Sequence, residues 1–240
     1  MKRTSLSFLV LLLLFLCFPF PSYASGSAQY DQYSEQVLAT METNDCNSSF
    51  ADTGLVFSSK EDADAFINYF WNVYYLGQIE VSFKYQYWSD RPTEPLLFVR
   101  TYGSSEEAVT QTRTSASMIQ SAADSIGHGG SELERAAAAY NYLYHASYDP
   151  TYHDNSVYTM VTQQSSACQG YAATYYALCH ALGLECDMIT GGGHAWNRVL
   201  IDGVWQYVDV TWDSMNQSSR YFMISENAMN ADHTPEEIIH

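Results

Sequence analysis

Charged side chains are scarce in this 240-residue sequence, at 15% of the total, against about a quarter in an average globular domain. The surface must therefore be covered largely by Ser, Thr, Asn, Gln and the hydroxyls of 20 Tyr, a palette that suits a secreted protein. Basic residues are scarcer still, with 10 Lys and Arg against 27 Asp and Glu and a formal net charge of -17. A field of that sign repels nucleic-acid phosphates and anionic lipid, which excludes a nucleic-acid partner; it serves solubility or attracts a cationic substrate. The sequence has no internal repeat, heptad series or long low-complexity tract. It also lacks a cysteine pair at the two-to-four-residue spacing of zinc ligands and any dinucleotide fingerprint, so no metal and no cofactor is expected. What is present excludes disorder: 47% of residues are hydrophobic and 15% aromatic, enough to bury a core.

Lys2 and Arg3 precede an apolar run from Leu6 to Phe20 that is short for a bilayer span, and Ser22-Tyr23-Ala24 supplies small residues for cleavage. Residues 1–24 are therefore expected to be a signal peptide cut after Ala24, leaving no stable membrane span and a secreted or cell-envelope location. Cys17 follows the bulky Phe15 and Leu16, which argues against lipidation. The exported chain keeps 8 basic against 27 acidic residues, a net charge near -19. It also keeps Cys46, Cys168, Cys179 and Cys186, which fit two disulfides, or one reactive thiol beside a bridge or two buried thiols.

Residues 25–59 are polar and Ser/Asn-rich and read as a loose arm. Residues 60–103 read as an N-terminal α+β extension: a helix over Glu61–Tyr75, a strand over Gln78–Trp88, a turn bracketed by Pro92 and Pro95, and a strand over Leu96–Tyr102. Residues 104–240 form the expected main domain. It opens with a helix over Ser104–Ile126 and another over Ser131–Ser147, where Ser131 and Glu134 stand at capping-box spacing.

Ser166 and Gln169 repeat that spacing and predict a helix from Ala167 that places Cys168 in its first turn. Unpaired N–H groups and the positive dipole end there favour a thiolate. Cys168 also lies on the apolar stripe with Tyr175 and Cys179, which fits an inert buried thiol equally well. Three strands follow, Glu185–Thr190, His194–Ile201 and Val204–Val210, the first two joined by Gly191-Gly192-Gly193; without a following Lys and Ser or Thr this is a flexible turn, not a phosphate cradle. Asp202-Gly203 between strands signals a two-residue hairpin. Counting back from Ile201 opposite Val204 sets Arg198 against Tyr207, Trp196 against Asp209 and His194 against Thr211. His194 and Asp209 then share one face as diagonal neighbours, roughly 7–8 Å apart along the backbone, within side-chain reach. Taken singly, His194 is a polar strand-edge residue and Asp209 a backbone cap. Together a helix-start Cys, a strand His and a strand Asp supply nucleophile, base and orienter.

The segments Cys168-Gln169-Gly170-Tyr171-Ala172, His194-Ala195-Trp196-Asn197 and Asp209-Val210-Thr211-Trp212-Asp213 occur in that order, with Tyr148-Asp149 before them and Arg220-Tyr221-Phe222 after. From Ser131 to Ser225 the chain resembles the transglutaminase-like superfamily, a branch of the papain-like cysteine enzymes, in its bacterial secreted form. The resemblance implies an α+β papain-like core, with the nucleophile at a helix N-terminus packed on an antiparallel sheet carrying His and Asp. By the same resemblance Cys168 is the nucleophile, His194 the base and Asp209 its orienter. The family's upstream oxyanion residue has no clear match; Gln163 and Gln164 are candidates, the Cys168 N–H is another donor, and Trp196 and Trp212 are candidate substrate-site residues. The expected activity is acyl transfer from a peptide or glutamine amide through a thioester, hydrolytic in preference to cross-linking. Few elements are available to wall off an amine channel from water. The competing class is a non-catalytic peptide- or carbohydrate-binding module that uses Tyr171, Tyr175 and Tyr176. The expected partner is a peptide or protein substrate, with the cell envelope as one source.

Overall fold

The computed structural model describes residues 28–150 and 155–239, so the expected signal peptide lies outside the described residues. In chain order the elements are α1 (Ala28–Thr43), β1 (Ala51–Val56), α2 (Lys60–Tyr69) running into a π-helical turn (Phe70–Tyr74), β2 (Val81–Trp88), β3 (Arg91–Thr101), α3 (Ser105–Ile126) and α4 (Glu132–Tyr144). Then come β4 (Ser147–Tyr148), α5 (Val157–Gln163), β5 (Ser165–Ser166), α6 (Cys168–Ala181), β6 (Cys186–Gly191), β7 (His194–Ile201), β8 (Val204–Val208), α7 (Val210–Asn216), α8 (Glu226–Met229) and β9 (Glu237–Ile239). This is the expected α+β class. The long helices start where the caps predict: Ser104 accepts from Glu107 N, and Ser131 and Glu134 complete a reciprocal capping box.

Two antiparallel sheets organise the chain, one in the order β1-β3-β2 and one in the order β8-β7-β6-β9. The larger core surrounds α6, whose Tyr175, Leu178 and Cys179 are fully buried among residues of α3, α4, α5, β6 and β7. A second core joins Val37, Leu38 and Met41 of α1 to Phe66, Phe70 and Val99. Helix α3 belongs to both, with Ala108 and Val109 in the second and Ile119 and Ala123 in the first. A single rigid helix thereby couples the N-terminal sheet to the helix that carries Cys168.

Three expectations need correction here. The region 25–59 is not a loose arm over its described part: α1 and β1 pack into the second core, because Val37, Leu38 and Met41 recur at helical spacing within a polar stretch. Pro92 and Pro95 do not bracket a turn but lie inside β3. They are tolerated because β2–β3 pairing jumps from Gln86↔Leu96 to Trp88↔Arg91, and this irregularity needs no N–H from either proline. Ser166 does not cap α6: it belongs to β5, and Ala167 is the cap residue, with no side-chain bond.

Candidate active site

Two tight hairpins place the histidine. Gly192 and Gly193 both adopt left-handed backbone, with φ of 61° and 77°, and close the β6–β7 turn so that Gly191 pairs with His194 at the very start of β7. Asp202 and Gly203, with φ of 49° and 78°, close the β7–β8 turn. The register then runs as counted from the sequence, from Ile201↔Val204 through Arg198↔Tyr207 to Asn197↔Val208.

Beyond Val208 the ladder stops, and the expected pairs Trp196–Asp209 and His194–Thr211 do not form. Asp209 instead donates its N–H to Tyr221 O at 3.0 Å and caps α7, its Oδ1 accepting from Trp212 N at 3.0 Å. The side chains still meet as expected: His194 Nε2 and Asp209 Oδ2 are 2.8 Å apart. Asp209 thus sits at a helix cap just past the sheet and combines capping with orientation of the imidazole, two roles the sequence posed as alternatives.

Helix α6 brings the thiol to this pair. Asn197 of β7 is buried and donates from Nδ2 to Ala172 O at 3.0 Å and to Asp187 O at 3.2 Å, tying α6 and β6 to the strand that carries His194. Gly170 is required because a Cβ there would overlap Ser166 Oγ, and its N–H donates to Asn155 Oδ1 at 2.9 Å. Cys168, the first residue of α6, lines the same cavity as His194, and its thiol is within the influence of that imidazole and of the Ala195 and Gln169 backbone N–H groups. Since Nε2 is held by Asp209, Nδ1 is the ring nitrogen left for the sulfur.

These contacts set the protonation states. Burial alone would raise the Cys168 thiol, but the hydrogen bond and charge of His194, with the two N–H donors, bring it below an ordinary thiol. Burial would lower His194, yet bonds to Asp209 and Cys168 push it up to about 9. Burial would raise Asp209; bonds from His194, His233 and the Trp212 N–H hold it below the usual carboxylate range. The opposite shifts of thiol and imidazole both favour a thiolate–imidazolium pair over the neutral pair.

His233 is the residue that sequence reasoning missed. Its buried Nε2 donates to the same Asp209 Oδ2 at 3.0 Å, and its Nδ1 lies 3.3 Å from Met229 O. It stands 24 residues after Asp209, outside the quoted motifs, as one of two histidines in an acidic tail. His194, Asp209 and His233 offer three potential metal-ligand atoms within 4.8 Å of one another. Both Nε2 atoms, however, point at one oxygen at hydrogen-bond distances, and a cation there would have to displace both bonds.

The two tryptophans flank the histidine. Trp212 stacks on His194 at 5.0 Å between ring centroids and Trp196 at 5.9 Å. Trp196 is fully buried, and its Nε1 has no hydrogen-bond partner among the described residues. They hold the ring plane and do not line the adjoining cavity. Gln163 and Gln164 end α5 in exposed positions, and neither lines that cavity. The backbone N–H groups that act on the sulfur are those of Gln169, at the start of α6, and Ala195, on β7. Asp213, the second acid of its segment, is buried and accepts from Tyr140 Oη and Tyr221 N, both at 3.0 Å, bracing the loop behind Asp209.

Cys168 and His194 open onto a cavity of about 550 Å³ whose wall includes Tyr148, Asn155, Gln169 and Glu237. All four cysteines found in the described residues are free thiols, with Cys46, Cys179 and Cys186 buried and Cys168 partly accessible.

Residues 120–210 match the family model described as the Transglutaminase-like superfamily. Kyphoscoliosis peptidase of Mus musculus is 24% identical over 141 residues, covering 49% of this chain and 21% of its own length. The Homo sapiens protein of that name is 26% identical over 114 residues, covering 38% and 17%. The chain thus spans about a fifth of the length of these curated relatives. A crystal structure from Cytophaga hutchinsonii, described as a candidate cysteine protease, covers 67% of this chain and 68% of its own at 13% identity and a TM-score of 0.39. A structure described as a TGase covers 55% and 44% at 17% identity and a TM-score of 0.36. Over residues 120–210 the chain is thus similar to the core of the transglutaminase-like superfamily.

Proposed function

We propose that the chain is a secreted cysteine-dependent acyl-transfer enzyme that acts on peptide or glutamine amides and passes the acyl group to water. The observation that carries this reading is a partly accessible helix-start thiol that shares a cavity with an imidazole whose Nε2 is 2.8 Å from a buried carboxylate. In the proposed reaction the Cys168 thiolate attacks the amide carbonyl carbon. The negative charge that develops on the carbonyl oxygen is met by N–H groups at the start of α6. The His194 imidazolium gives its proton to the departing nitrogen, the C–N bond breaks, and an amine or ammonia leaves behind a Cys168 thioester. Neutral His194 then takes a proton from water, hydroxide adds to the thioester, and the acid leaves as the thiolate is restored. Asp209 keeps the imidazole oriented and stabilises its charged form throughout.

Water is favoured as acceptor because the cavity beside Cys168 is bordered by exposed Gly193, Glu236 and Glu237, which leave the sulfur side open. Transfer to an amine would pass through the same thioester. The deciding experiment supplies an amide substrate with a labelled primary amine at millimolar concentration. Free acid as the main product supports the proposal, and mainly amine adduct reverses it to cross-linking. Neither product, together with an unreactive Cys168, points to a binding module.

A further inference from the structure

A second cavity, of about 340 Å³, adjoins the one at Cys168, and the two share Asn72, Asn155, Gln169 and Met188 as wall residues. Gln169 directly follows the nucleophile, so a peptide held at Cys168, advancing about 3.3 Å per residue, can reach the second cavity within a residue or two. The far wall comes from the N-terminal half. The helix there widens into the π-helical turn, where Tyr75 N bonds to Phe70 O, at the two residues Trp71 and Asn72 that line the cavities. Such turns concentrate at functional sites.

Trp71 is 45% exposed yet fixed, since its Nε1 donates to Val81 O at 3.1 Å and its ring packs on Phe83 at 5.8 Å. The loop between them is braced by Tyr75 Oη donating to Ile79 O at 2.6 Å and by Gln78 N donating to Gln111 Oε1 at 2.8 Å. An ordered aromatic face open to solvent is a preformed platform. Tyr75 and Ile79 add partly exposed apolar surface, and the exposed Glu80 is one of the lining residues. Among the described residues no Lys or Arg lines either cavity, and Glu236 and Glu237 add further negative charge beside Cys168.

We infer that this second cavity is a substrate subsite for a basic side chain, lysine or arginine, of the peptide whose amide Cys168 attacks. The inference deepens, and rests on, the reading of Cys168 as a peptide-directed nucleophile. The aliphatic stem of such a side chain lies on Trp71 and Ile79, and its cation meets Glu80 and the indole face. The subsite also gives the N-terminal half a part in selecting substrate.

The test measures binding to full-length protein carrying Cys168→Ala. The probes are matched peptides with lysine or its neutral isostere norleucine, scanned through the positions on either side of the reacting amide. At one position lysine is expected to bind about fivefold to tenfold more tightly, the range of a cation held by an aromatic face and one carboxylate. Glu80→Gln and Trp71→Ala, each added to that protein, should at least halve the preference, with Glu80→Gln leaving the norleucine peptide unchanged. Glu80 is exposed, so its substitution does not threaten the fold. In the active chain the same loss should fall on KM, with kcat within about twofold. Equal affinity at every position, binding of neither peptide, or a preference that survives both substitutions would overturn the subsite. A retained lysine preference in protein whose native Cys168 form turns over no peptide would support the subsite and remove the catalytic reading.

Discussion

His233 shares with His194 a single oxygen, Asp209 Oδ2, the two Nε2 atoms lying at 3.0 and 2.8 Å. Asp209 Oδ1 is taken by the Trp212 N–H, so three donors fix the carboxylate. His233 touches none of the reacting atoms and acts as a positioning residue. His233→Ala is expected to lower kcat by about tenfold to a hundredfold, the usual scale for a group that orients a site side chain, with KM little changed. His233→Gln, whose amide nitrogen can donate to the same oxygen, should recover part of the loss. Steady-state kinetics on the three proteins checks this; equal kcat values would remove His233 from the site.

The paired shifts at Cys168 and His194 predict a bell-shaped profile of kcat/KM against pH. The active ion pair appears as pH rises through the lowered value of the thiol and disappears as His194 loses its proton near 9. Asp209 raises the imidazole, so Asp209→Asn removes that support and should move the alkaline limb down towards the ordinary 6.5 as well as lowering the maximum. An alkaline limb that stays near 9 in Asp209→Asn would assign it to another group.

Asn197 ties both α6 and β6 to β7, with one buried bond to each. Asn197→Ala should cost about 1–3 kcal/mol of stability, read as a lower Tm. It should also reduce kcat more than KM, because Cys168 and His194 lose their common anchor. Gly170→Ala, which forces a Cβ against Ser166 Oγ, should shift the start of α6 and slow labelling of Cys168. Native-like Tm and activity in both variants would show that α6 is positioned by other contacts.

The parts of this site legible in the sequence are those fixed by local rules. The Asp202-Gly203 turn sets a register that carries through to Asn197↔Val208, and cap chemistry places α3 and α4. Where tertiary contacts overrule local ones, the reading departs. Ser166 has a capping spacing but is drawn into β5, and Asp209 leaves the ladder because α7 and the Tyr221 carbonyl claim it. Helix α1 was hidden because its apolar positions are few and dispersed among polar ones. His233 reaches Asp209 only through the return of the chain after α8, which no spacing rule encodes.

The central claim, that Cys168 is a nucleophile activated by His194 and Asp209, is tested most directly by alkylation with a mild reagent across pH, with the modified cysteine located by mass spectrometry. Cys46, Cys179 and Cys186 are buried free thiols and serve as internal controls. The account predicts that Cys168 alone reacts in the native protein, with a pH midpoint below that of an ordinary thiol, and that His194→Ala moves the midpoint upward. A Cys168 that reacts no faster than the buried thiols, or whose midpoint does not move in His194→Ala, would contradict it.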